Sequence, residues 1–209
     1  MIIKERLLHL NYWTTLLIIS VLDLAATFGV SQVLWNDETY YQNFGGGDFD
    51  KYLVSVRGID LIRYCLGPFY LMLKSILIAS VLSVSFQLLN QKILFSSLLV
   101  VVLLAELALI GGDFFEIVWF ILIQPDYGPE DLKAFSMLSI DQVTQAEEVW
   151  LSYPLKMINF FQLAYAFLIG VGVEHLCNSK KMMGVAMIVY GGLLFFWILI
   201  KLSFWSLFS

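Results

Sequence analysis

Four carboxylates lie where an apolar chain should not hold them. Asp23 is flanked by Ile-Ser-Val-Leu on one side and Leu-Ala-Ala on the other, and Glu106, Asp113 and Glu116 share a second apolar stretch around Gly111-Gly112. Insertion scales put a charge at the centre of a bilayer at a cost of about 2.5–3.5 kcal/mol, so such residues turn toward protein or water and mark ion or proton routes. Glu106 and Asp113 stand two helical turns apart on one face, with Glu116 a turn beyond. The glycine pair beside them permits close packing or a kink where water enters. These are the candidate residues of an ion pathway.

The same residues have a purely structural use. A tight hairpin about Gln91 puts Lys74 within a turn of Glu106, and Arg63 close to Glu116. Two interhelical ion pairs, Lys74–Glu106 and Arg63–Glu116, then satisfy four charges with no further role. Near a membrane interface, Arg63, Asp113 and Glu116 can also extend to water. Asp23 has no partner in its own hairpin and is the sharper clue.

Other chemistry is poorly represented. Glu174, His175 and Cys177 are metal-competent within one turn, but a zinc site needs more ligands and the only other histidine is His9. A polar helix end accounts for the three residues, and no metal or cofactor is expected. Gly-x-Ser-x-Gly, His-Glu-x-x-His and paired-aspartate motifs are missing from the apolar stretches. The chain is therefore expected not to be an enzyme.

Five apolar stretches must position these groups: residues 11–35, 60–89, 93–123, 154–177 and 182–205. Each exceeds the roughly 20 residues a helix needs to cross about 30 Å of hydrocarbon. With 60% hydrophobic residues and a mean hydropathy of +0.82, the expected fold is all-α, a polytopic transmembrane helical bundle. It forms a single transmembrane domain over residues 1–209, with outer loops at 36–59 and 124–153. The net charge of −5 offers no basic stripe for phosphates and excludes nucleic acid as a partner. Cys65 and Cys177 fall on opposite sides of such a bundle, so no disulfide is expected.

Basic residues in the short connections set an expected orientation. Lys4 and Arg6 precede the first span, Lys92 sits in the Asn90-Gln91-Lys92 turn, and Lys180-Lys181 follow the fourth span. All fall on one side, which places the N-terminus inside and the C-terminus outside. The first span then acts as a retained signal anchor, because its apolar run is too long for a cleaved leader. The longer loops carry most of the acids. The first holds Gly45-Gly46-Gly47 between Tyr40, Tyr41 and Phe44, without the Lys-Ser/Thr a phosphate loop requires. In the second, Pro129 with Glu130 and Asp131 suits a helix start, and a further short helix is expected from Ser139 or Asp141 to Trp150. A faint parallel repeat pairs Pro68 with Pro154 and Asn90-Gln91-Lys92 with Asn178-Ser179-Lys180, as two hairpins obeying the same bilayer rules also would.

The run from Pro125 through Phe135 and Trp150 to Gln162, with Tyr153-Pro154 and Asn159-Phe160-Phe161 inside it, resembles small bacterial five-span proteins loosely similar to Yip1-type membrane proteins. The resemblance covers the second half of the chain. It implies a five-span, N-inside and C-outside layout in a cell membrane, of the bacterial inner-membrane kind, and a partner-binding role without catalysis. It transfers no site residues, and the soluble N-terminal domain typical of Yip1 proteins is missing.

Two functional expectations follow. The first is a non-enzymatic integral subunit or accessory protein of a larger membrane assembly, such as a transport or secretion complex, with the lipid bilayer and other membrane subunits as partners. The second is a proton- or cation-coupled transport element using Asp23, Glu106 and Asp113.

Overall fold

The computed structural model describes residues 11–34, 49–128, 131–132, 135, 139, 141 and 149–208; of residues 49–60, 149–151, 153 and 204–208 it describes only the helical backbone. Among them run six α-helices: α1 (Tyr12–Gly29), α2 (Phe49–Leu88), α3 (Phe95–Leu122), α4 (Val149–Met157), α5 (Phe160–Cys177) and α6 (Lys180–Phe208). Five are long and apolar enough to span a bilayer, with spans at Tyr12–Leu34, Leu61–Leu88, Phe95–Leu122, Phe160–Cys177 and Lys180–Ser203. The expected all-α transmembrane bundle is therefore present.

Local chemistry sets the helix ends. Asn11 caps α1 by accepting from the Trp13 amide, and Asn159 caps α5 by accepting from the Gln162 amide. Asn90 (φ 57°) and Asn178 (φ 55°) adopt the left-handed conformation that stops α2 and α5, a state asparagine tolerates better than most residues. The two Asn-x-Lys turns therefore share a backbone device.

Two expectations about the outer segments need correction. Residues 49–59, read as loop, are helical and extend α2 beyond its membrane span. Pro68 lies within that helix without ending it. The fourth span starts at Phe160 rather than 154, because the Asn159 cap separates it from α4, a short helix containing Pro154. Lys4, Arg6, His9, the Gly45-Gly46-Gly47 loop with Tyr40, Tyr41 and Phe44, Pro129-Glu130 and most of the helix expected before Trp150 lie outside the described residues.

Helix α3 is the centre of the bundle. It packs against α1, α2 and α5, most closely against α1 and α5, while α6 packs chiefly on α5. Leu98, Val102, Leu103 and Ala105 are all fully buried. Gly172 of α5 faces Val101 so closely that an added Cβ would fall 2.5 Å from a Val101 methyl. That approach brings α5 close to the Glu106 face of α3.

Candidate functional site

One polar network runs through the apolar core. Lys74 of α2 donates from Nζ to Glu106 Oε2 of α3 at 2.9 Å, and the Tyr165 hydroxyl of α5 donates to Glu106 Oε1 at 3.0 Å. Glu106 is 3% exposed and Tyr165 0%, so neither carboxylate oxygen is left to water. The Lys74 ammonium also lies 5.0 Å from the Tyr165 ring centroid, a cation–π arrangement. The Tyr190 ring of α6 stacks 4.8 Å from that of Tyr165, and its hydroxyl donates to Gln162 Oε1 at 2.8 Å. On the α1 side, the hydroxyls of Tyr12 and Ser75 stand 3.3 Å apart. A buried carboxylate with an ammonium on one oxygen and a phenol on the other is neutralised and held in place. This network ties α2, α3 and α5 together through side chains.

A second charged group behaves differently. Asp23 of α1 lies midway along its span, and an added Cβ on Gly67 of α2 would sit 3.7 Å from its Oδ2. The glycine leaves room for that carboxylate. Asp23 acts electrostatically on Asp113 and Asp113 on Glu116, while Arg63 acts on both aspartates and Lys74 on Asp23. All three carboxylates are half-buried. Among the described residues none of them makes a hydrogen bond or ion pair. Three carboxylates face one guanidinium and the Lys74 ammonium, which is already bonded to Glu106. Ser20 Oγ on α1 and Tyr64 Oη on α2 are also buried without a hydrogen-bond partner. Ser20 is one turn from Asp23, and Tyr64 one turn from Gly67.

The expected Arg63–Glu116 ion pair is not formed; Arg63 acts on Asp23 and Asp113 through the electrostatic field alone. Counting outward from the Gln91 turn treats α2 and α3 as neighbours along their whole length. At the level of Glu116, however, α3 meets α1: Ile117 lies against Gly29, where an added Cβ would be 2.7 Å from Ile117 Cδ1. The count holds near the turn, at Lys74 and Glu106, and does not carry as far as Arg63 and Glu116.

Among the described residues no set of three His, Cys, Asp or Glu side chains converges to hold a metal. Asp23, Asp113 and Glu116 therefore share a field without forming a chelate. At the other end of the bundle, His175 Nδ1 lies 2.8 Å from the Val171 carbonyl oxygen, within its own helix. Tyr165, Tyr190 and Gln162 were not singled out from the sequence. Their one sequence signal is a polar tip within an apolar run, which does not identify a partner.

Fold and site together define a multi-pass integral membrane protein with one satisfied and one unsatisfied intramembrane charge group. The chain matches no family model, no curated protein and no solved structure.

Proposed function

We propose that the protein is a proton-binding element of a membrane transport assembly, with Asp23, Asp113 and Glu116 as the proton-accepting groups. The observation that supports this reading is the contrast at the carboxylates. Glu106 has both oxygens bonded, whereas the other three make no hydrogen bond or ion pair among the described residues, with Arg63 acting on the two aspartates and Lys74 on Asp23 only through the field. Intramembrane carboxylates that are not locked in an ion pair are the groups that proton relays use. Lack of convergence favours protons over a chelated metal ion. Acid-jump proton flux in proteoliposomes tests the reading: Asp23→Asn and Asp113→Asn abolish flux while inserting and folding as the wild type does. Wild-type flux in both variants would eliminate the route.

A second reading, a non-enzymatic accessory subunit without a proton route, is favoured by the outer face of α6. Gly184, Gly191 and Gly192 have nothing within 4 Å of an added Cβ, and Ile188 and Phe195 on the same face are 76% and 62% exposed. Small residues on a span let another helix approach closely. Purification in mild detergent with mass spectrometry of companions tests it. Gly191→Leu then loses a companion that the wild type retains, and recovery of a monomer alone counts against this reading.

A further inference from the structure

The turn between α2 and α3 forms a half-open cavity of about 470 Å³, lined by Ser83, Phe86, Gln87, Asn90, Lys92 and Ile93 among others. That volume falls within the roughly 300–1,000 Å³ of small-molecule sites. The cavity straddles the membrane border, since the flanking spans end at Leu88 and begin at Phe95. Its chemistry is one-sided. The lining offers an ammonium, a hydroxyl and side-chain amides, and it contains no carboxylate. Lys92 makes no ion pair or hydrogen bond among the described residues. The Gln87 amide uses one donor on Ser83 Oγ at 3.4 Å, which leaves its carbonyl and second N–H available. Beside the cavity stand the exposed aliphatic side chains Leu88 (79%) and Leu94 (65%).

We infer that this cavity seats the headgroup of an anionic phospholipid. Lys92 meets the phosphate, the side-chain amides of Gln87, Asn90 and Gln91 hydrogen-bond the phosphate and glycerol oxygens, and the acyl chains run along Leu88 and Leu94. A zwitterionic headgroup fits less well, because no lining acid is present to receive its ammonium. A basic residue near an anionic membrane surface contributes a modest attraction, so Lys92 sets the preference for an anionic headgroup while the amides and apolar flanks add affinity that both lipids share.

Native mass spectrometry of the full chain in mild detergent, titrated with phosphatidylglycerol, phosphatidylcholine or inorganic phosphate, tests the assignment. One phosphatidylglycerol is expected to bind at least about fivefold more tightly than phosphatidylcholine, the factor one lysine supplies. Lys92→Gln is expected to remove that preference, and Lys181→Gln, a basic residue outside the cavity, to preserve it. Adding Gln87→Leu to Lys92→Gln should weaken phosphatidylglycerol binding further. Equal binding of the two lipids would overturn the assignment. So would equal losses from Lys92→Gln and Lys181→Gln, which would indicate a diffuse surface charge. Saturation by inorganic phosphate at the same concentrations would make the cavity a free-phosphate site and overturn the lipid assignment.

Discussion

The bundle holds intramembrane charge in two ways. Around Glu106, an ammonium from α2 and a phenol from α5 close on one carboxylate. Around Asp113, carboxylates from α1 and α3 share the field of Arg63, with Lys74 also acting on Asp23, and make no hydrogen bond among the described residues. The difference is one of helix neighbours. Glu106 sits where α2, α3 and α5 all converge, so donors from two helices reach it. Asp113 and Glu116 lie farther along α3, where Gly29 of α1 packs on Ile117 and α1 contributes another acid in Asp23. Similar residue types within one helix therefore have different consequences: one fixes the helices, and the others keep capacity for a proton.

The largest expected effect separates these roles. Lys74→Met or Glu106→Leu alone leaves a buried charge without its partner and is expected to destabilise by about 3–5 kcal/mol. The double variant is expected to be much milder, because two apolar side chains suit the bilayer as well as the pair did. Equilibrium unfolding in mixed micelles checks this, and additive losses would show that the two residues are not coupled.

Tyr165→Phe probes the same network with a smaller change. It removes the donor to Glu106 Oε1 but keeps the ring beneath Lys74, and the expected loss is about 1–2 kcal/mol. Tyr190→Phe, which only breaks the bond to Gln162, is expected to cost about 0.6 kcal/mol, the average for interhelical hydrogen bonds in membranes. A Tyr190 effect larger than that of Tyr165 would move the centre of the network toward α6.

The smallest expected effect belongs to the other group. Asp23→Asn and Asp113→Asn remove charges that no hydrogen bond holds, and neither is expected to lower stability, since an intramembrane charge without a partner is itself costly. A loss comparable to that of Glu106→Leu would mean that these carboxylates are also structural, and the comparison between the two groups would collapse.

Much of this arrangement was legible in the sequence. The five spans follow from apolar length alone, and the Lys74–Glu106 contact follows from a short turn that keeps α2 and α3 adjacent near Gln91. Legibility ends where contact depends on helices distant in sequence. Tyr165 reaches Glu106 because Gly172 lets α5 approach Val101, and neither fact is encoded near Glu106. Arg63 was assigned to Glu116 because counting from a turn carries no information about α1. The helical extension at residues 49–59 was missed because its mixed polar sequence lacks the apolar length that marks a span.

The most direct test of the account is a side-by-side measurement of equilibrium unfolding for Glu106→Gln and Asp113→Asn in the same mixed micelles. The account predicts a loss of about 3–5 kcal/mol for Glu106→Gln, which leaves the Lys74 ammonium without its carboxylate, and no loss for Asp113→Asn. Equal losses in the two variants, or a larger one for Asp113→Asn, would contradict the division into a structural and a proton-accepting group.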